Sequence, residues 1–368
     1  MQGFGVLRRR ARSIALLPLA ALVVVLAACS AGGGDVPKKA PPAATTGTGV
    51  EAELIAAAQK NGSAMTLYTS VDPATADTLA KTFEEKYGIK VAVTRLVSGP
   101  IVARYSAEAS SGDPVADLMI VANRPFFEDG LAKGWFLPMT ADQIPNIDKV
   151  PKTFQYDGSV GVGTSRLNGL VANTGLVSKS DTPTTWEDLL EPKFKGKLVG
   201  NDPRTIPVVL NQWVALDKKL GDGYLKKIAQ QNVSWAPSLV AGVQEVAAGE
   251  KLVAFGINQG HVNPLLATAP TAPVTQPIVL LKPVDLGFAW NAGVSAKSPN
   301  PAAARLFINW LLTNDGQKLF NGATLSPSVL PGVEIPGAAK LGPDFLDVGG
   351  STSESEKARI LSLLGLDK

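Results

Sequence analysis

The chain holds 368 residues, 45% of them hydrophobic and 6% aromatic, enough for one large domain or two lobes of ordinary size. Its formal charge of +3 traces to the first 28 residues, where Arg8, Arg9, Arg10 and Arg12 stand without an acid; the remainder carries 31 basic residues against 32 acidic ones. That balance gives no basic patch for nucleic acid or an anionic membrane surface, and a single cysteine excludes an intrachain disulfide.

Taken in chain order, the N-terminus reads as an export signal over residues 1–28. "RRRAR" is a basic lead, and Ile14 to Ala28 form a 15-residue apolar run, short for a membrane span of about 20 residues. "LAAC" (Leu26 to Cys29) then places small residues before the only cysteine. It resembles the lipobox of bacterial lipoproteins, which implies cleavage before Cys29 and diacylation of its thiol. The protein is accordingly expected at the cell membrane, lipid-anchored and facing the extracytoplasmic side. A lone buried cysteine is the plainer alternative. Residues 29–50, rich in Gly, Pro, Ala and Thr, read as a flexible tether, with globular sequence starting near Glu51.

From Met65 strands and helices alternate. "MTLYTS" predicts a strand, and Asp72-Pro73 an N-cap followed by a first helical proline, with a helix to Gly88. "IKVAVTRL" predicts the next strand, Ser98-Gly99-Pro100 a helix through about Ser110, and "ADLMIVA" (Ala116 to Ala122) a strand buried on both faces. Asn123-Arg124-Pro125 opens another helix. Arg166 to Thr174 read as a strand leaving the first lobe. A short helix capped by Thr185, a turn at Pro192 and a strand at Leu198 to Gly200 follow. Asp202 to Thr205 precede a helix to about Leu216. "SLVAGVQEVAAGEKLVAFGINQG" predicts helix, strand and a polar loop; a long helix starts at Pro301, and a C-terminal helix closes the chain. The alternation implies a largely parallel α/β sheet. In such sheets ligands sit beyond the carboxyl ends of strands, at turns that start helices. Ser70, Asp72, Ser98, Gly99, Asn123 and Arg124 occupy such turns and are candidate contacts; plain capping is the alternative for Asp72 and Ser98.

These stretches resemble the extracellular solute-binding proteins of ABC importers, in the family that includes the ferric-iron binding proteins. The resemblance rests on "LYTSVDPATADTLAKTFEEKYGIKV", "ARYSAEASSGDPVADLMIVA", "TTWEDLLEPKFKGKLVGNDP", "AAGEKLVAFGIN" and "NAGVSAKSPNPAAARLFINWLLTNDGQKLF", between Leu67 and about Leu330. It implies a two-lobed, type II periplasmic-binding-protein fold. Each lobe is then a mixed sheet flanked by helices, joined by two crossover strands and closing around a ligand. The lobes are expected as residues 51–165 plus about 290–335, and about 166–289 plus 336–368. The implied partners are a small-molecule ligand and a membrane permease, with the chain a monomer.

Ferric members hold iron with two adjacent tyrosines in the second lobe, often with a first-lobe histidine and carboxylate. The pair would fall near Asn258 to Gly260, where "NQG" stands; the histidine position corresponds approximately to Asp72, and the carboxylate to about Ala122 or Asn123. Amides do not replace phenolate charge on a hard ferric ion. Asn258 and Gln259 instead suit a small polar ligand. Arg204 and Thr205 resemble the position where family members receive an anion, and Arg124 adds a second cation, so an anionic or zwitterionic solute is expected. A structural ion pair is the alternative for both arginines, and lobe packing for Trp235 and Trp290.

His261 is the only histidine. With Asp72 as its one evident partner it makes a poor metal site, and no "GxSxG" elbow supports catalysis. A hydrogen-bonding or structural role remains. The expectation is a binding protein with no catalytic residue, metal set or cofactor. A ferric or other metal-binding subunit is the alternative within the class; a hydrolase or a structural or signalling surface lipoprotein is the alternative outside it.

Overall fold

The computed structural model describes residues 49–367. The expected signal segment, Cys29 and nearly all of the tether lie outside the described residues. The chain begins with α1 (Val50–Lys60), β1 (Ala64–Thr69), α2 (Pro73–Tyr87), β2 (Lys90–Arg95), α3 (Ser98–Ser111), β3 (Leu118–Val121), α4 (Arg124–Ala132), β4 (Gln155–Tyr156) and β5 (Ser159–Arg166). It continues through β6 (Gly169–Ala172), β7 (Leu198–Asn201), α5 (Pro207–Leu220), α6 (Asp222–Gln230), β8 (Ser234–Ala236), α7 (Leu239–Ala247), β9 (Val253–Ile257), α8 (Gln259–Thr268) and β10 (Val279–Leu280). The last elements are β11 (Leu286–Val294), α9 (Pro301–Leu311), α10 (Asn314–Gly322), β12 (Leu346–Asp347) and α11 (Glu354–Leu363). No described helix is long and apolar enough to cross a membrane.

Two mixed sheets result, as the type II fold requires. The first runs β2-β1-β3-β11-β5-β4, with β12 added to β11; the second runs β10-β6-β9-β7-β8. Period-2 alternation buries both faces of the first sheet. Leu67, Leu118 and Ile120 enter one core with α2 and α9, while Tyr68, Met119 and Val121 enter the other with α3 and α4. The second sheet repeats this, Leu170, Leu198 and Phe255 on one side and Val171, Val199 and Ala254 on the other.

Local chemistry sets the helix starts. Asp72 accepts a hydrogen bond from the Thr75 N–H at 2.9 Å with Pro73 behind it, and Gly88 ends α2 in the left-handed region at φ 68°. Asn123 and Asn300 cap α4 and α9 the same way, each ahead of a proline. Three expectations change. The helix expected from Pro301 is two helices, because Thr313 caps a new one by accepting from the Gly316 N–H at 3.2 Å. The polar loop expected after β9 is helix α8, despite Pro264 inside it. The strand expected over Arg166 to Thr174 is two strands, β5 ending at Arg166 and β6 starting at Gly169.

Strand directions orient the molecule. β5 leaves the first sheet at Arg166 and β11 re-enters it at Leu286, so that edge faces the second lobe. β3 is antiparallel to β11 and parallel to β1, which is parallel to β2, so all three bring their carboxyl ends to that edge. In the second sheet β6 starts beside the crossing, and β9 opposes it with Ile257 facing Gly169. β7 and β8 are parallel to β9, and their carboxyl ends meet the same gap. Core packing marks β11 as a crossing strand: Leu286 and Phe288 lie in the second-lobe core, Ala289 and Ala292 in the first, and Trp290 touches both.

Candidate functional site

On the first-lobe wall, Ser70 follows β1 and Ser98 starts α3. The Ser98 hydroxyl donates to Ser70 Oγ at 2.9 Å, tying the two turns together. Ser70 is buried, Gly99 is exposed, and no atom lies within 4 Å of where a Gly99 side chain would begin. The residue before α3 is Val97, which supplies no side-chain cap, so the helix start keeps its amide N–H groups toward the gap. Asp72 and Asn123 act as caps, their side chains already accepting from Thr75 and Phe126.

Arg124, beside Asn123, lies over the Tyr156 ring at 5.0 Å, with Nη1 3.6 Å from Asp347 and Nε 3.4 Å from Glu128. Its Nε is buried without a hydrogen-bond partner. The guanidinium is held by charge and stacking rather than by close bonds.

The second-lobe wall is built differently. Asn201 ends β7 and Asp202 follows it, and Arg204 clasps the Asp202 carboxylate, Nε to Oδ1 at 3.0 Å and to Oδ2 at 3.2 Å and Nη2 to Oδ2 at 2.7 Å. Those bonds hold the Asp202 carboxyl below its usual range. Thr205 is exposed and donates to the Asp202 carbonyl at 3.2 Å. Neither residue starts the helix: α5 begins at Pro207, and Arg204 and Thr205 occupy the turn before it.

A bulge ends β9. Gly256 takes φ 74°, which glycine adopts without strain, and the register against β6 shifts there. Asn258 follows and caps α8. Its amide N–H donates to His261 Nδ1 at 3.1 Å, and its side-chain Nδ2 donates to Ser165 Oγ on β5 at 2.6 Å, a bond between the lobes. His261 as a whole keeps some surface, but its imidazole is enclosed, and burial pushes its pKa down to about 4. It is a neutral helix-capping histidine. Gln259 is 5% exposed; its Nε2 donates to Asn263 and Gln276 at 3.2 Å each, while its Oε1 has no partner.

Ser70, Asp72, Ser98, Gly99, Asn123, Arg124, Arg204, Thr205, Asn258 and Gln259 thus all stand in the turns and helix starts that follow β1, β2, β3, β7 and β9. Asp202, Asp347, Tyr156 and Ser165 are the neighbours the sequence reading missed. Asp202 was within sight, two residues from Arg204; the other three are distant in sequence from the residues they hold. Trp235 packs edge-on against Trp213 at 5.6 Å, and Trp290 against Phe288 at 5.2 Å, so both belong to lobe packing.

The chemistry of this gap is hydrogen bonding. Each of the five tyrosines donates to a protein acceptor: Tyr68 to Glu108, Tyr87 to Glu51, Tyr105 to the Trp135 carbonyl while its oxygen takes the Ser295 hydroxyl, Tyr156 to Asp347, and Tyr224 to Trp186. Burial pushes the Tyr68 and Tyr105 phenols up to about 12 and raises the other three as well. No cluster of three or more His, Cys, Asp or Glu suited to a metal occurs among the described residues. A hollow of about 720 Å³ lies elsewhere, walled by Pro151, Phe154 and the 327–341 segment. None of the strand-end residues lines it, so the gap is the better candidate.

Comparison with known proteins agrees with this architecture. Residues 68–318 match the bacterial extracellular solute-binding protein family. An uncharacterized protein of Haemophilus influenzae is 25% identical over 273 residues, 69% of this chain and 74% of its own length. Among solved structures, iron-bound HitA from Pseudomonas aeruginosa is 19% identical with a TM-score of 0.65, covering 83% of this chain and 98% of that one. The substrate binding protein of an ABC transporter from Agrobacterium tumefaciens is 15% identical with a TM-score of 0.68, covering 83% and 94%. AfuA from Actinobacillus pleuropneumoniae, with fructose-6-phosphate bound, is 22% identical with a TM-score of 0.61, covering 82% and 98%. At these identities the structures speak for the two-lobed fold.

Proposed function

The chain belongs to the bacterial extracellular solute-binding protein family, and from that premise we propose that it captures a small polar solute, anionic or zwitterionic, and delivers it to the permease of an ABC importer. The family is one of extracellular solute-binding proteins, which supports work outside the cytoplasm and a binding role. Lipid anchoring through Cys29 and a monomeric state complete the proposal.

One observation carries the ligand class. The parallel strands of both lobes deliver their carboxyl ends to one gap, and the turns there offer neutral donors and acceptors. On one side stand the Ser70–Ser98 hydroxyl pair and the uncapped start of α3; on the other stands the buried, unpartnered Gln259 Oε1. Helix-start N–H groups and hydroxyls suit an oxyanion, and an amide oxygen suits a ligand N–H or O–H. Arg124 and Arg204 are paired with carboxylates here, so an anionic ligand would draw on them by exchange. Iron remains a second reading because HitA, among the similar structures, holds iron; the engaged phenols argue against a tyrosinate site.

Thermal unfolding against phosphonates, phosphates, sugar phosphates, polyamines and Fe(III) tests this. A ligand at one hundred times its Kd adds about 2.7 kcal/mol, so one small anion or zwitterion should raise Tm clearly. A shift with Fe(III) alone would replace the organic ligand with iron. Native mass spectrometry of fresh protein should show the same solute co-purifying.

A further inference from the structure

Beyond the two crossing strands, a third segment passes between the lobes. Leu341 and Phe345 pack on the first-lobe core, and Leu346 and Val348 on the second-lobe core. Backbone bonds fix this strap to the start of β11, from the Leu346 N–H to the Asp285 carbonyl at 3.0 Å and from the Val348 N–H to the Gly287 carbonyl at 2.8 Å. Asn211, on α5 of the second lobe, donates to the Val348 and Gly350 carbonyls at 2.8 and 2.6 Å. Asp347, paired with Gly287 where β11 crosses, is therefore tied to the second lobe through Asn211 and its flanking Leu346 and Val348.

Asp347 nevertheless reaches back to the first lobe. Its Oδ2 accepts from the Tyr156 hydroxyl at 2.9 Å and lies 3.6 Å from Arg124 Nη1. Tyr156 is on the edge strand of the first sheet, and Arg124 opens α4 on the gap wall. We propose that Asp347, with Tyr156 and Arg124, is an interlobe brace that sets the resting angle of the hinge. The brace is distinct from the Arg166–Asp285 ion pair, which joins the two crossing strands to each other. A contact between a part carried by one lobe and side chains carried by the other resists rotation directly. The 3.6 Å separation is loose enough to be given up when the lobes rotate, and Arg124 is then released at the gap.

The test uses ligand-free protein, so its outcome is independent of the solute class. Spin labels at Lys81→Cys on α2 and Lys227→Cys on α6, both exposed positions, in a Cys29→Ser background report the interlobe distance by electron–electron double resonance. Asp347→Ala should broaden and shift that distribution, Tyr156→Phe should do so less, and Asp347→Glu should restore the narrow form. The Asp347→Ala/Arg124→Met double variant should add nothing to Asp347→Ala alone. An unchanged distribution in folded Asp347→Ala, or additive effects in the double variant, overturns the brace. Tyr156→Phe, which deletes one oxygen, carries the test if Asp347→Ala does not fold; an unchanged distribution there overturns it equally.

Discussion

Two arginine–aspartate pairs, one at the hinge and one at the gap, show how burial divides structural charge from available charge. Arg166 leaves the first sheet at the end of β5 and pairs with Asp285 on the returning segment; its side chain is 4% exposed. It also donates to the Ala339 and Lys340 carbonyls at 3.3 and 2.7 Å, and burial pushes its pKa down to about 10. Three crossing segments thus meet on one guanidinium that water scarcely reaches. Arg204 has the better two-point geometry on Asp202, yet its side chain is 44% exposed. Asp202 is mostly buried, but the guanidinium reaches solvent, where its charge is screened and open to exchange. The same chemistry therefore fixes the hinge in one place and stays free to meet a ligand in the other.

The largest effect that would break this contrast concerns the hinge. Arg166→Met leaves a partly buried Asp285 carboxylate with only the Gly342 N–H at 3.4 Å, and removing one partner of a buried pair costs about 3–5 kcal/mol. Urea unfolding should show that loss at neutral pH; a change no larger than that of a surface substitution would place Arg166 with Arg204.

His261 offers a buried neutral counterpart. Its folded pKa of about 4 lies below the unfolded value near 6.5, so the unfolded state binds the extra proton. Stability is full above pH 6.5 and is lost as pH falls toward 4, by up to about 3 kcal/mol. His261→Gln keeps an acceptor for the Asn258 N–H and removes the titration. Wild type should thus lose stability relative to His261→Gln over that window in denaturant melts. His261→Ala should cost about 1 kcal/mol at pH 7 through the lost cap.

A smaller effect on folding belongs to Arg204→Gln: it removes the cation from an Asp202 side chain only 11% exposed, but the backbone N–H of residue 204 still donates to that carboxylate at 2.9 Å. Binding of an anionic solute, by calorimetry, should weaken roughly tenfold through the lost charge-assisted bonds. A fall in stability with unchanged affinity would reverse the roles assigned to the two pairs.

Much of the fold was legible because its signals are local. Asp72-Pro73 and Asn123-Arg124-Pro125 announce caps wherever they are folded, and "ADLMIVA" announces a strand buried on both faces. Helix α8 was not legible: Gly260, Asn263 and Pro264 read as loop, and the Asn258–His261 cap and docking against the first lobe make it a helix. The break at Thr313 carried a visible "TND" cap signal, masked by apolar periodicity running up to it. Helix α1, with Leu54, Ile55 and Ala58 buried at helical spacing, adjoins the tether and was passed over with it.

By itself the sequence determined the alternation of strands and helices, the family, and the set of strand-end turns that face a gap. Those follow from periodicity and capping, which act over a few residues. Tertiary structure alone decided what each charged side chain does. Arg124 is 223 residues from Asp347, and Arg166 is 119 from Asp285. Whether an arginine is spent inside the protein or kept for a solute depends on such distant partners and on the water left around them, and local pattern records neither.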